Sequence, residues 1–434
     1  MELTLVPLLL PVIQEELNLS ISQLAWVFNS YGFAVAFGVL LGGYFGDVFN
    51  TKRVFAAGVL CFASGSAIVA YVGNYEMMIA GRVLQGFGGG MFSPLVPVLL
   101  TRASPQRPGR VLIIWGSVAG YVAAFAPLIY SSFFVGFGWN LAFIIFATLA
   151  LVALAIVQRS DIGDDRITFA ESSASYAKLF RSRALWLMLG YVFCTYGSIT
   201  YYLFRVPIWL ADNDYDVISI GFILSIMWLS FSIVSTLLRN RVDQHYVGTI
   251  LLVAPILIGS GFPLAYLCGD IVCVLIASFM VGSGLACSNA PSTQLILKFA
   301  PKGTTAVSAS LDITFARFGG VAAVAILAQK DFSQSVIAVT VLSAVALLCA
   351  LATALRLNRT PNPSPDVSPR GERPQGSGMP PPRPGTTRPS TIRKTHRPGP
   401  GRATSRSPTQ ETTSPLTAPV QSHRVPIVLG SYNF

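Results

Sequence analysis

Twelve apolar runs, parted by loops whose positive charge alternates from one side to the other, leave this chain few ways to fold. They fall at about 3–13, 23–46, 53–72, 77–100, 110–134, 139–158, 184–210, 217–238, 247–267, 271–297, 304–329 and 334–357. A helix needs about 20 mostly apolar residues to cross a ~30 Å hydrocarbon core, and every run but the first is of that order. Alternation of period two is absent, and the runs are too long for barrel strands. Helices, which satisfy their own backbone polar groups in lipid, are the expected elements. The fold class is therefore all-α: a polytopic membrane protein of about 12 transmembrane helices. Composition agrees, with 53% apolar and only 11% charged residues, against about 25% charged in soluble domains.

Charge sets the orientation. One set of loops carries Lys52 and Arg53, then Arg102, Arg107 and Arg110, then Arg159, Arg166, Lys178, Arg181 and Arg183. It continues with Arg239, Arg241, Lys298, Lys302, Arg356 and Arg359. The opposite loops hold Glu15, Glu16, Glu76, Asp212, Asp214, Asp216 and Asp270, with Lys330 as their one base. Basic loops stay in the cytoplasm, so a multi-pass protein of the inner (plasma) membrane with both termini cytoplasmic is expected. The net charge of +11 does not mark a nucleic-acid partner. Residues 1–359 hold 20 Lys/Arg and 16 Asp/Glu, a net +4, and the other +7 lies after Thr360. The six cysteines lie in or beside apolar runs without metal-ligand spacing, as small buried hydrophobes do.

Spacing reveals an internal repeat. The basic loop near 47–53 has a counterpart near 239–246, and helix ends near 13 and 158 have partners near 210 and 357. Two six-helix halves are expected, 1–158 and 184–358, joined by a cytoplasmic loop over 159–183, with a substrate site between them. The seventh run is about 27 residues long and the first only about 13. At 1.5 Å per residue the first reaches ~20 Å, too short to span, so a truncated first helix with a natural start upstream is expected. Sixteen of the 28 prolines fall after Thr360, among Arg, Ser, Thr and Gly. Such a segment buries too little to offset ordering entropy, and a disordered Pro/Arg-rich cytoplasmic tail is expected over 359–434.

A few residues carry mechanism. Gly38, Gly42, Gly43 and Gly46 lead into Asp47, Lys52 and Arg53 between the second and third runs. Small residues at that spacing let helices approach closely in lipid. Buried ionisable residues are costly in a membrane and face a cavity or a partner. Glu2, Arg82, Asp312 and Arg317 are such residues. Asp312 is a candidate proton carrier or an interhelical bond, and Arg317, about 140° further round the helix, points elsewhere. Arg82 and Arg205 lie close enough to helix ends to reach the interface. Pro94, Pro97 and Pro127 are candidate kinks, and Trp26, Tyr31 and Trp115 are candidate stacking surfaces for a flat or cationic substrate. No nucleotide-binding Gly-rich Lys-Ser/Thr loop is present, so ATP hydrolysis is not expected, and His245, His396 and His423 form no metal cluster. No cofactor and no metal are expected.

The string Gly43-Tyr44-Phe45-Gly46-Asp47-Val48-Phe49-Asn50-Thr51-Lys52-Arg53 resembles the cytoplasmic signature Gly-x-x-x-Asp-Arg-x-Gly-Arg-Lys of the major facilitator superfamily. Val48 and Asn50 depart from its Arg and Gly. Further strings resemble the drug:proton antiporter branch. Glu2-Leu3-Thr4-Leu5-Val6 through Leu10-Pro11 resembles its first-helix motif with Glu in place of Asp. Gln23-x-x-Trp26 through Tyr31, Arg82-Val83-Leu84-Gln85-Gly86, and Gly319-Gly320 after Asp312 resemble its second, fourth and eleventh helices. The likeness spans about residues 2–358. In the fifth helix Ala126-Pro127-Leu128-Ile129-Tyr130-Ser131 replaces the branch's Gly-Pro-x-x-Gly-Gly.

That resemblance implies a secondary transporter, not an enzyme, working by alternating access and exporting small amphipathic compounds against protons. It ties Arg82 to proton coupling and makes Glu2 a natural proton site; with the intramembrane charges Asp312 and Arg317 these are the coupling or substrate candidates. It assigns a conformational latch to Gly43, Asp47, Lys52 and Arg53. Cavity candidates are Trp26, Tyr31, Gln85, Trp115 and Pro127. The expected partners are a small-molecule substrate, protons and membrane lipid, with no nucleic acid, and the chain is expected to act as a monomer. A metabolite facilitator or symporter, and a membrane sensor that binds without transport, are the competing readings.

Overall fold

The computed structural model describes residues 2–359 apart from 72, 105, 107, 161–179, 243–246, 269 and 301–304. Most of the interdomain loop and the tail beyond Arg359 lie outside the described residues.

Among those residues the chain forms thirteen α-helices. The first seven are α1 (Glu2–Glu16), α2 (Ile21–Val48), α3 (Thr51–Tyr71), α4 (Tyr75–Phe92), α5 (Leu95–Ala103), α6 (Pro108–Phe133) and α7 (Asn140–Arg159). The rest are α8 (Arg183–Asp212), α9 (Val217–Val242), α10 (Val247–Cys268), α11 (Ile271–Phe299), α12 (Thr305–Leu327) and α13 (Phe332–Arg359). Ten are long and apolar enough to cross a membrane. The fourth run is a bent span: α4 and α5 meet at 41° across Ser93 and Pro94. Pro94 and Pro97 each remove an amide donor, and a proline ring clashes with the carbonyl four residues back, so the ladder breaks there. At 15 residues α1 is only ~22 Å long.

The helix starts are written locally. Ser20 and Gln23 form a reciprocal capping box on α2. Asn50 accepts from the Arg53 amide at 3.0 Å, and Asn74 accepts from the Met77 amide at 2.9 Å. Ser182, Asp216 and Asp270 do the same for α8, α9 and α11. Each cap satisfies an amide that the helix cannot, and each marks where an apolar run leaves the loop.

Hydrogen bonds tie the loops into two ends. At the basic end Lys52, opening α3, donates from Nζ to the Ser160 carbonyl that closes α7. There Arg102, ending α5, donates to the Thr51 hydroxyl at 3.0 Å. At the acidic end the Trp139 indole N–H donates to Glu16 at 2.9 Å, and Asn140 donates to the Ala70 carbonyl at 2.7 Å.

Glycine controls the packing. α4 is wedged between α2 and α3, and a Cβ added at Gly38, Gly42, Gly86 or Gly90 would stand 2.3–2.5 Å from a backbone oxygen across the α2–α4 contact. On the other side a Cβ at Gly65 or Gly88 would meet backbone amides at 2.3 Å. Gly319 of α12 approaches the Phe193 carbonyl of α8 equally closely. In lipid such backbone approach supplies the packing that water-driven burial supplies in a soluble protein. The outer surface bears large apolar side chains such as Phe133, Ile326, Leu267 and Leu348, as a belt in hydrocarbon requires. α1, by contrast, is buried on every side: Leu5, Val6, Leu8, Leu9, Leu10 and Ile13 are at most 1% exposed. It packs on α2, α6, α8 and α9, so this short helix is held by protein.

Two seams run between the early and late helices. α2 lies along α12, where Asn29 donates from Nδ2 to the Val321 carbonyl at 3.1 Å. Further along this seam Thr314 reaches the Ala36 carbonyl at 3.4 Å, and a Cβ at Gly43 would touch the Ser310 hydroxyl at 3.5 Å. α6 lies along α9, where the Leu128 amide donates to Ser225 at 3.1 Å.

Candidate functional site

The glycine-bound wedge brings α4 close enough to α2 and α1 for Arg82 to be satisfied in the interior. Its Nε–H donates to the Val27 carbonyl at 3.0 Å. Nη1 donates to Glu2 Oε1 at 2.5 Å and to Gln85 Oε1 at 2.7 Å. The guanidinium carbon also lies 4.6 Å from the centre of the Tyr31 ring, a cation–π distance. Gln85 in turn donates to Ser66 at 2.9 Å, and Ser66 donates to the Phe62 carbonyl at 2.8 Å. A continuous polar chain thus runs from α1 through α4 into α3. Arg82 is 1% and Glu2 8% exposed, so the interfacial position open to Arg82 from its place in the helix is not the one it takes.

Glu2 Oε2 is buried without a hydrogen bond, and so is Asn29 Oδ1. Both residues line a cavity of about 30 Å³, together with Tyr31, Arg82, Thr200 and Arg317. That volume holds about one water. The cavity joins α1, α2 and α4 to α8 and α12. Its charged lining is two guanidiniums against one carboxylate. Glu2 and Arg82 compensate each other, whereas Arg317 makes no hydrogen bond or ion pair among the described residues. A charge at membrane depth costs about 2.5–3.5 kcal/mol on insertion scales. The cavity therefore carries an unbalanced positive charge.

Asp312 lies elsewhere on α12. It is fully buried, accepts a short hydrogen bond from the Thr293 hydroxyl of α11, and does not line the cavity. The five-residue offset that separates it from Arg317 by about 140° points the two into different helix contacts. Arg205 ion-pairs with Asp212 at 3.7 Å and lies 6.0 Å from the Phe332 ring centre.

The other sequence-singled residues separate by position. Tyr31 and Gln85 belong to the Arg82 network. Trp26 is 50% exposed and Trp115 half-buried, and neither lines the cavity. Pro127 lies in the α6–α9 seam, its carbonyl 3.0 Å from where a Gly221 Cβ would be. Among the latch residues, Gly43 faces α12, while Lys52 bonds Ser160 and Arg53 is exposed. The Asp47 side chain lies outside the described residues. Ser66, Asn29, Thr200 and Thr293 were not singled out in the sequence. The run Gly86 to Gly90, with Phe87 its one non-glycine residue, signals the wedge that places Arg82.

Fold and site define a class: a polytopic helical membrane protein with a buried, charged cavity where early and late helices meet. A profile of the Major Facilitator Superfamily matches residues 1–324, and the chain belongs to that family. It is 29% identical over 211 residues to the tetracenomycin C resistance and export protein of Streptomyces glaucescens, a match covering 48% of this chain and 36% of that protein. It is 34% identical over 133 residues to a multidrug resistance protein B homolog of Mycobacterium tuberculosis, covering 30% of this chain and 25% of that one. These alignments span about a third or less of each relative's length. The fold is similar to that of the nucleoside transporter NupG, with a TM-score of 0.68 at 16% identity over 81% of this chain and 96% of that one. The family and the structural neighbours are transporters, and this chain is an integral membrane protein.

Proposed function

We propose that this chain is a proton-coupled exporter of small amphipathic compounds, working by alternating access between the halves 1–158 and 184–358. The observation that carries the reading is the buried Glu2–Arg82 pair, whose free carboxylate oxygen faces the cavity between those halves. Protonating Glu2 removes the charge that compensates Arg82. A buried guanidinium left with neutral acceptors is costly, so proton binding and separation of α1 from α4 are coupled through one contact. Gln85 Oε1 and the Val27 carbonyl hold Arg82 in place through the change.

The α2–α12 and α6–α9 seams are the surfaces that open and close. The basic end, cytoplasmic by its charge, holds the latch residues Gly43, Asp47, Lys52 and Arg53. The relatives named for resistance and export support the direction of transport. The departure at Ala126 to Ser131 favours a second reading, a facilitator that moves a metabolite without protons.

The test is substrate-induced collapse of a proton gradient in everted vesicles bearing the full chain, with lipophilic cations, neutral antibiotics and organic acids as the panel. Collapse that Glu2→Gln abolishes, while substrate exchange without a gradient persists, is the expected result. Gradient-independent uptake unchanged by Glu2→Gln would replace the exporter with the facilitator.

A further inference from the structure

Arg317 stands twelve residues from Thr305 and ten from Leu327 on α12. It is therefore about 18 and 15 Å from the two helix ends, beyond the reach of a side chain snorkelling to an interface. Its neighbours in the cavity do not neutralise it. Glu2 is taken by Arg82 at 2.5 Å, and Asp312 lies on another face of the same helix, bonded by Thr293. Tyr31, Thr200 and Asn29 are neutral. Arg317 is half-buried, and a guanidinium without an ion-pair partner in a small cavity at membrane depth calls for an anion; a planar fork of donors suits an oxyanion best.

The same cavity presents Asn29 Oδ1, a buried acceptor with no donor, and the second carboxylate oxygen of Glu2 with the Tyr31 hydroxyl beside it. The complement of these groups is one acidic oxygen with an O–H or N–H donor close by. Phe28 and Tyr31 add ring surface to the same wall. The cavity as it stands admits only a water-sized group, so the remainder of a ligand enters when the seams part.

With the transport reading above as premise, we propose that Arg317 is the anchor for an acidic oxygen of the transported compound, which makes this chain's substrates amphipathic aromatic acids. Arg82, held by Glu2 and Gln85, serves coupling, and Arg317 serves recognition.

The test uses the full chain in nanodiscs and three fluorescent probes of one shape: anthracene carboxylate, its methyl ester, and anthracenylmethylammonium. A charge-assisted hydrogen bond contributes roughly 10- to 100-fold in affinity. The native chain is expected to bind the carboxylate at least about ten-fold more tightly than the ester. In Arg317→Gln the ratio falls to near one, and Arg317→Lys keeps part of it. Equal binding of carboxylate and ester, a preference for the ammonium, or an acid preference that survives Arg317→Gln overturns the assignment. If Arg317→Gln fails to fold, the native ratio and the lysine variant decide.

Repeating the titration in chloride and in a bulky zwitterionic buffer without added inorganic anion separates a substrate acid from an inorganic counter-ion. Loss of the acid preference in chloride overturns the proposal in favour of the latter. Proteoliposome flux of the same probes keeps the two readings distinct. Proton-driven flux of ester and ammonium without acid preference removes the anchor and leaves the exporter. Arg317-dependent acid binding without flux of any probe removes the exporter and leaves an acid-binding site.

Discussion

Glu2 and Arg82 are eighty residues apart in the chain and meet at 2.5 Å, both buried, as the bond between the first and fourth helices. Removing one partner leaves the other as an uncompensated interior charge, which costs about 3–5 kcal/mol. Arg82→Met is therefore expected to lower the unfolding temperature sharply. The Glu2→Gln, Arg82→Met double variant is expected to recover most of that loss, because no orphan charge remains. A double-mutant cycle by thermal unfolding in detergent checks this, and simple additivity of the two single losses would mean that the pair is not coupled.

The α2–α4 contact is backbone on backbone, and its glycines have no room for a methyl group. A Cβ at Gly86 would lie 2.3 Å from the Tyr31 carbonyl oxygen, so Gly86→Ala must push α2 away from α4. Such overpacking costs about 1–3 kcal/mol. It also shifts the Val27 carbonyl that Arg82 uses, so transport is expected to fall with stability. Gly136→Ala, where nothing lies within 4 Å, is the matched control and should change stability by less than about 0.5 kcal/mol. Equal melting temperatures for the two variants would refute close packing at Gly86.

The helices were legible because hydrophobicity in lipid has to be continuous, whereas the caps that open them, such as Ser20 with Gln23 and Asn74, come from the structure. The break at Ser93 and Pro94 follows from proline chemistry alone. Long-range pairing is different in kind. Glu2 and Arg82 each read as a buried charge needing a partner, but helical spacing carries no information about which helix supplies it. Ser66, Asn29 and Thr293 look like any small polar residue in an apolar run, and only the packing selects them. Trp26 and Tyr31 show the angular limit: five residues place them about 140° apart, so one ring lines the cavity and the other faces outward.

Asp312 and Thr293 form a contact between α11 and α12 that is separate from the cavity. We expect Asp312→Asn to weaken this contact and lower stability by about 1–3 kcal/mol while leaving substrate-induced gradient collapse in place. Thr293→Val is expected to act in the same direction. Both are read by thermal unfolding alongside the vesicle assay. Loss of proton coupling in Asp312→Asn at unchanged melting temperature would move the coupling carboxylate from Glu2 to Asp312.

Gly43 and Ser310 report whether the α2–α12 seam opens at its basic end. The position of a Cβ on Gly43 is 3.5 Å from the Ser310 hydroxyl oxygen, the atom that a Ser310→Cys sulfur would replace, so thiols at the two positions come within reach of each other. Gly43→Cys with Ser310→Cys, in a background from which the six native cysteines have been removed, is expected to crosslink rapidly under mild oxidant. If α2 and α12 separate there during each cycle, the crosslinked protein cannot turn over, and reduction restores flux. The bond lies at the basic end and does not touch the cavity, so binding of a ligand that enters from the acidic end should survive when flux is lost. That split distinguishes a blocked motion from a damaged site. Full transport by the quantitatively crosslinked protein would show that this end of the seam stays closed throughout, and would shift the moving surface to α6 and α9.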